Sequence, residues 1–211
     1  MVKTLSTMLD LGTSAPDFIL PDVVSGQTIS LDTFSGNKAL VVMFICRHCP
    51  FVKHIQQEIA RIVRDYRNKD VGIMAISSND AESFPEDSPS SLKQMAEELG
   101  FRFPFCYDES QETAKAYAAA CTPDFYLFNE ARQLVYRGQL DDSRPGSDIP
   151  VTGRDLRGAL DAVLGDKPVD SNQRPSIGCN IKWKAGNEPE KLSGKKIYAK
   201  VKSFIHRRIK T

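Results

Sequence analysis

The feature that most constrains the fold of this chain is a Cys-x-x-Cys-Pro motif at the end of an apolar run. The motif is Cys46-Arg47-His48-Cys49-Pro50, and the run before it, 39–45, is typical of a fully buried strand. Pro50 has a fixed φ and no backbone N–H, which suits the first turn of a helix. We therefore expect both cysteines at a helix N-terminus, where unpaired N–H groups and the positive dipole end stabilise a thiolate.

Hydrophobic periodicity around the motif predicts an α/β fold. A helical pattern covers 51–67 and a second apolar run covers 71–76, so strand, helix and strand form a right-handed parallel βαβ unit. Segment 80–90 is polar and contains two prolines, which indicates a surface loop. The other predicted elements are two short strands within 12–35 that turn at Ser25-Gly26, a helix from Ser90 or Ser91 to Leu99, a strand at 104–107, a helix at 109–120, a hairpin of 124–128 and 133–137, and a helix at 153–164.

Several segments resemble the thioredoxin-like superfamily, and within it the peroxiredoxin-like redoxin branch related to alkyl hydroperoxide reductase and thiol-specific antioxidant. They are the Cys-x-x-Cys-Pro motif, Ser14 to Pro21, Gly26 to Leu31, Thr122-Pro123-Asp124, Phe125 to Phe128, and Ser176 to Trp183. The resemblance implies a central mixed sheet flanked by helices, with an N-terminal β extension and a C-terminal wrap. We predict a thioredoxin-like domain over 12–165 and an extended wrap over 166–190. The helical apolar spacing and basic residues of 191–211 predict an amphipathic tail outside the resemblance.

The two motif cysteines are the predicted redox couple. Cys46, expected to be the more exposed sulfur, attacks the substrate, and Cys49 resolves the mixed disulfide. By resemblance, Pro123 is a cis proline that shapes the substrate groove, and Thr122 presents its backbone to an extended substrate segment.

Residues inside the motif are expected to support this chemistry. Pro50 starts the helix, and the positive charges of Arg47 and His48 favour a thiolate. Half of a zinc site and a pair of inert buried thiols are the alternatives. A zinc site needs further ligands, and the sequence offers no second Cys-x-x-Cys and no His cluster. We therefore predict no metal and no organic cofactor, since sulfur carries the electrons.

Two other cysteines lie in segments that carry the resemblance. Cys121 stands two residues before Pro123, and Cys179 lies in the late Gly-Cys-Asn-Ile-Lys-Trp segment. Our hypothesis is that they pair, or that one of them relays electrons to the Cys46–Cys49 disulfide. The alternative is two separate buried thiols that act as small hydrophobic residues. Cys106, in an apolar strand, is expected to be a core residue.

Three functions are compatible with the dithiol. The first is a cytoplasmic thiol–disulfide oxidoreductase in redox homeostasis, acting on protein or small-molecule disulfides with a thiol donor such as thioredoxin. The second is a thiol peroxidase that reduces hydroperoxides, in which Cys49 attacks and Cys46 resolves the sulfenic acid. Peroxiredoxins carry Thr-x-x-Cys-Pro here, and Cys46 takes the place of the Thr hydroxyl, which argues against a peroxidase. The third is a non-enzymatic redox sensor or membrane-surface adaptor.

Charge is unevenly distributed along the chain. The tail 191–211 holds eight of the 28 basic residues and no acidic one, which leaves 20 basic residues against 27 acidic ones elsewhere. The body, with a net charge of −7, is therefore not expected to bind nucleic acid. The tail, by contrast, is a candidate for weak contact with an anionic membrane. The chain shows no secretory leader pattern and no long apolar run, and five cysteines are few for a secreted scaffold, so a cytoplasmic location is expected.

Overall fold

The computed structural model of the protein describes residues 3–189. Its strands are β1 Lys3–Leu5, β2 Ile19–Pro21, β3 Thr28–Ser30, β4 Ala39–Phe44, β5 Val71–Ser77, β6 Phe105–Tyr107, β7 Cys121–Thr122, β8 Asp124–Asn129, β9 Leu134–Gly138 and β10 Ile177–Asn180. Its α-helices are α1 Pro50–Tyr66, α2 Pro89–Leu99, α3 Glu112–Ala116 and α4 Arg154–Leu164, and 3-10 helices cover Leu31–Phe34 and Pro85–Asp87.

A five-stranded mixed sheet forms the centre of the fold. Its order is β6-β5-β4-β8-β9, with β4, β5 and β6 parallel and with β8 and β9 antiparallel to their neighbours. Strand β4 is buried along its whole length, as its unbroken apolar run predicts. The mixed α/β architecture expected from the sequence is confirmed.

Side chains of β4 alternate between two hydrophobic cores. Val41 and Met43 pack on the face that is covered by α1, α2 and α4. Leu40 and Val42 pack on the opposite face with the β2–β3 hairpin and Tyr117. Each fully buried aliphatic side chain of this kind contributes about 1.5–3 kcal/mol to stability. This packing fixes the end of β4, where the motif begins.

A second, three-stranded sheet lies against the same corner. Its order is β1-β10-β7, and both pairs are antiparallel. The segment that was predicted as an extended wrap therefore contains a central strand, β10. Gly178 is required in it, because a Cβ atom there would lie 2.0 Å from the carbonyl oxygen of Thr122.

Three local predictions need correction. The helix predicted over 109–120 is limited to α3, because Ala118 has a φ of +49° and the chain must turn to reach β7. Helix α2 is capped by Ser88, whose hydroxyl accepts the Ser91 N–H, rather than by Ser90 or Ser91. Segment 80–90 is not only a surface loop, since its 3-10 helix carries the fully buried Asp87.

Within residues 3–189, no helix is both long enough and apolar enough to cross a membrane. The basic tail 191–211 lies outside the described residues.

Candidate redox site

The two motif cysteines lie where the chain passes from β4 into α1. Cys46 follows β4 by two residues, and Cys49 is the N-cap residue of α1, with Pro50 as its first helical residue. Both cysteines are fully buried, with 0% of their surface exposed. The prediction that Cys46 is the more exposed sulfur is therefore wrong.

Thr122 contacts both sulfurs from the strand that precedes the proline. Its Oγ1 atom lies 3.3 Å from Cys46 Sγ, and its carbonyl oxygen lies 3.1 Å from Cys49 Sγ, which donates to it only when Cys49 is protonated. The Thr122–Pro123 peptide bond is cis, as predicted. A hydroxyl group is therefore present beside the dithiol, although it comes from β7 and not from position 46.

The backbone of Thr122 is already paired within the chain. In the register of β7 and β10, Thr122 stands opposite Cys179. The expectation that Thr122 presents its backbone to an extended substrate is therefore wrong, because the chain's own β10 fills that place. Pro123 still lines a surface groove, which it shares with Phe51 and His54.

Cys49 is the sulfur that the site stabilises as a thiolate. Its pKa is lowered to about 5, first of all by the hydrogen bond from the Cys46 thiol, and burial opposes this shift. The thiol of Cys179, the backbone N–H of Val52 and the Thr122 hydroxyl lower it further. Hydrogen-bond donors directed at the sulfur of this N-cap cysteine stabilise its thiolate relative to its thiol.

Cys46 keeps its proton. Burial raises its pKa well above the ordinary thiol value, and the hydrogen bond to Cys49 and the negative charge of Asp87 raise it further. The pair thus holds one negative charge, which lies on Cys49.

Asp87 organises the loop between the two cysteines, and sequence reasoning missed it. Its carboxylate accepts the backbone N–H groups of Arg47 at 2.8 Å and His48 at 3.1 Å. It also accepts the Asn79 side-chain amide at 2.8 Å and contacts Nδ1 of His48. Burial opposes its ionisation, but the hydrogen bonds from His48 and Asn79 lower its pKa. An Asp in a polar, proline-containing segment gives no sequence signal for such a role.

The Arg47 side chain does not act on the sulfurs as predicted. Its guanidinium donates to the Ser91 carbonyl at 2.7 Å and to Glu98 at 3.1 Å, both on α2. These contacts fasten the loop to α2 and turn the charge away from the dithiol.

His48 stands beside Cys46, with Nδ1 3.9 Å from the Sγ atom. Its ring stacks on Phe84 at 5.5 Å, and its buried Nε2 atom has no hydrogen-bond partner within residues 3–189. Because Asp87 contacts the same ring nitrogen, the carboxylate offsets any positive charge on the imidazole.

Cys46, His48 and Asp87 also form the kind of group that can hold a metal ion. One ligand atom from each lies within 4.8 Å of the others. The Asp87 oxygens already accept three N–H groups besides their contact with the imidazole, so we interpret the cluster as a hydrogen-bond network.

Cys121 and Cys179 lie in neighbouring strands but face different ways. Cys179 opposes Thr122 in the β7–β10 ladder, whereas Cys121 precedes Thr122 and points to the other face. The ladder therefore does not bring these two cysteines together as a pair, and Cys179 instead contacts Cys49. Cys121 donates to the Pro123 carbonyl at 3.7 Å, and burial raises its pKa. Cys106 is a buried core residue, as predicted.

Solved structures with a similar fold include two that are about half identical in sequence to this chain and others that are below 25% identical. A conserved protein from Geobacillus kaustophilus is 56% identical, with a TM-score of 0.86 over 87% of this chain and 97% of that one. A hypothetical protein from Sinorhizobium meliloti 1021 is 49% identical, with a TM-score of 0.85 over 87% of this chain and 100% of that one. A thiol-disulfide oxidoreductase from Bacteroides fragilis is 22% identical, with a TM-score of 0.55 over 72% and 100% of the two chains, and this likeness shows the fold alone.

No curated protein matches the chain. A family model does match, over residues 11–137, which include β2 to β8, the motif and the cis proline. Because the match spans more than half of the chain and the fold is thioredoxin-like, the protein belongs to the AhpC/TSA family.

Proposed function

We propose that the protein is a thiol–disulfide oxidoreductase that cycles between a Cys46/Cys49 dithiol and a Cys46–Cys49 disulfide. Family and fold support a thioredoxin-like redox function. The observation that carries the finer proposal is the low pKa of Cys49, an N-cap thiolate with the Cys46 thiol as hydrogen-bonding neighbour.

In the proposed reaction the roles of the two cysteines are reversed from the sequence prediction. The Cys49 thiolate attacks one sulfur of the substrate disulfide, forms a mixed disulfide and releases the first thiolate. The Cys46 sulfur then attacks Cys49, and its proton leaves with the second substrate thiol. The substrate gains two electrons and the protein becomes the disulfide. A thiol donor such as thioredoxin, in the cytoplasm, would reduce it again.

Hydroperoxide reduction is the second candidate, and the burial of both sulfurs favours it. A peroxide is small enough to reach a covered sulfur more readily than a protein disulfide can, and the Thr122 hydroxyl lies beside the dithiol. The Cys49 thiolate would attack the peroxide oxygen, release the alcohol or water, and become a sulfenic acid. Cys46 would then displace water from it and close the same disulfide.

Turnover measurements separate these possibilities. Pre-reduced protein is assayed with hydrogen peroxide and, in parallel, with a model protein disulfide, and the variants are Cys49→Ser, Cys46→Ser and, as a control buried thiol, Cys106→Ser. We expect both reactions to be lost in Cys49→Ser, turnover through the Cys46–Cys49 disulfide to be lost in Cys46→Ser so that its steady-state rate falls, and Cys106→Ser to retain activity. Brisk disulfide exchange with slow peroxide consumption supports the oxidoreductase, and the reverse supports the peroxidase.

Two results would contradict both proposals. Loss of attack with Cys46→Ser but not with Cys49→Ser would return the attacking role to Cys46. A reversible disulfide without turnover of either substrate would instead indicate a redox sensor or adaptor.

A further inference from the structure

The strand β10 lies where an extended substrate was expected to pair. Cys179 stands directly opposite Thr122, the residue before the cis proline. On the other side of β10, Lys3 of β1 stands opposite Cys179, so the strand is held from both edges. Cys179 therefore lies next to the dithiol on a strand of the same chain.

Strand β10 approaches the dithiol closely because it has a glycine, Gly178, at the point of contact. Gly178 leaves no room for a side chain, since its Cβ would lie 2.0 Å from the Thr122 carbonyl oxygen. That same oxygen lies 3.1 Å from Cys49 Sγ. Cys46, Cys49 and Cys179 are buried in one continuous core cluster, and the thiols of Cys49 and Cys179 are hydrogen-bonding neighbours.

We propose that Cys179 is a third redox sulfur, which exchanges with the Cys46–Cys49 disulfide to form an alternative Cys49–Cys179 disulfide. The inference rests on the proposed dithiol cycle and extends it. Cys49 is the shared sulfur, flanked by Cys46 from the β4 side and by Cys179 from β10.

The exchange is balanced without a further oxidant. The Cys179 sulfur attacks the Cys49 sulfur, the Cys49–Cys179 bond forms, and the Cys46–Cys49 bond breaks. Cys46 leaves with the electron pair and takes up the proton that Cys179 loses. The protein thus remains oxidised by two electrons, while the oxidised sulfur moves from Cys46 to β10.

The charge on Cys49 controls when this exchange is favourable. Burial raises the pKa of the Cys179 thiol to about 12, and its hydrogen bond to Cys49 and the Cys49 charge add to the shift. In the Cys46–Cys49 disulfide that charge is absent, so Cys179 loses its proton more readily after oxidation than before it. Lys182 acts in the same direction, because its positive charge lowers the Cys179 pKa.

Cys121 provides a matched control. It is also buried and also lies on the three-stranded sheet, but it points to the face away from Thr122 and Cys179. Position 121 should therefore not replace position 179 in any disulfide with Cys49.

The test is disulfide mapping of the full chain after oxidation with diamide, a reagent that oxidises neighbouring thiols whatever the natural substrate is. The variants are Cys46→Ser alone and in combination with Cys179→Ser or with Cys121→Ser. Remaining thiols are alkylated and peptides are identified by mass spectrometry. We expect an intramolecular Cys49–Cys179 disulfide in Cys46→Ser and in Cys46→Ser/Cys121→Ser, and its loss in Cys46→Ser/Cys179→Ser.

The inference is overturned if Cys179 is alkylated in oxidised Cys46→Ser while Cys49 ends in an intermolecular or other product. Oxidised wild-type protein is mapped in parallel, so that a folding defect of the variant does not decide the matter. In the wild type we expect a minor Cys49–Cys179 fraction beside Cys46–Cys49, and in Cys179→Ser we expect only Cys46–Cys49. Absence of the Cys49–Cys179 disulfide from the wild type would overturn the inference. A wild type that forms Cys46–Cys49 alone removes only this inference, whereas a wild type without Cys46–Cys49 removes the proposed function as well.

Discussion

At the scale of single residues, the state of Cys49 depends mainly on the thiol beside it. The hydrogen bond from Cys46 is the largest cause of its low pKa of about 5. Cys46→Ala removes that donor, so we expect the Cys49 pKa to rise by about one unit or more. The rate of alkylation by iodoacetamide as a function of pH measures it. Cys106→Ala serves as the control, and an unchanged pKa in Cys46→Ala would contradict the hydrogen-bonding argument.

Asp87 is the other residue whose replacement should be informative. Asp87→Asn cannot accept every N–H group that the carboxylate accepts, so we expect the free energy of unfolding to fall by about 2–4 kcal/mol. Because the Asp87 charge raises the pKa of Cys46, the pKa of that thiol should fall. Urea unfolding and alkylation of Cys46 measure the two effects.

The neighbouring Glu86 is exposed, which makes Glu86→Gln the control with the same change in charge. If both variants had equal stability, Asp87 would not hold the loop.

The cysteines and the cis proline were predictable because their chemistry depends on spacing along the chain. Asp87 was not, since it reaches Arg47 and His48 across about 40 residues of sequence. The orientation of Arg47 was missed for the same reason, because its partners lie on α2.

At the scale of elements, the contact between β10 and β7 depends on a glycine. Gly178→Ala would place a Cβ atom against the Thr122 carbonyl, so β10 must move and the unfolding free energy should fall by about 1–3 kcal/mol. Gly158→Ala is the contrasting variant. A Cβ atom at this position of α4 would meet no described residue within 4 Å, so we expect the free energy of unfolding to rise by about 0.5–1 kcal/mol.

Thermal or denaturant unfolding of both glycine variants checks this prediction. Equal changes in the free energy of unfolding for Gly178→Ala and Gly158→Ala would show that a Cβ atom at position 178 does not strain the contact between β10 and β7. We also expect the Cys49 pKa to rise only in Gly178→Ala, since β10 carries the Cys179 donor.

Elements differed in how well the sequence predicted them. Long periodic segments such as α1 and β4 were identified to within a residue or two, because their pattern repeats several times. The alanine-rich segment after Glu109 was not, because tertiary contacts outweigh helix propensity there. The predicted hairpin after Pro123 is present as β8 and β9.

At the scale of the whole molecule, the pairing of strands that are neighbours in sequence was predictable. The pairing of strands far apart in sequence was not. The mixed sheet follows from βαβ handedness and a hairpin, both of which join neighbouring segments. The sheet β1-β10-β7 joins residues near both ends of the described chain through strands of two to four residues. Strand β1 has no buried residue and β7 has only two residues, so neither shows an alternating apolar pattern in the sequence.

The thiolate also makes the stability of the reduced protein depend on pH. The pKa of Cys49 is about 5 in the folded protein, against an ordinary value of 9.0 in the unfolded chain. Between these values the unfolded state binds more protons, so the free energy of unfolding rises with pH, by at most about 1.4 kcal/mol per unit. The contribution is complete above the unfolded pKa and is lost as the pH falls through the folded one.

Comparison with Cys49→Ala isolates this effect. Asp124, whose pKa burial raises to about 7, acts with the opposite sign, but it is present in both proteins and cancels in the difference. We therefore expect the stability of the wild type minus that of Cys49→Ala to increase from pH 5 to pH 9 in urea unfolding under reducing conditions. The same subtraction with Cys106→Ala should show no such slope, because that thiol has a raised pKa of about 12. A flat difference for Cys49→Ala would mean that the folded protein does not hold its charge on Cys49.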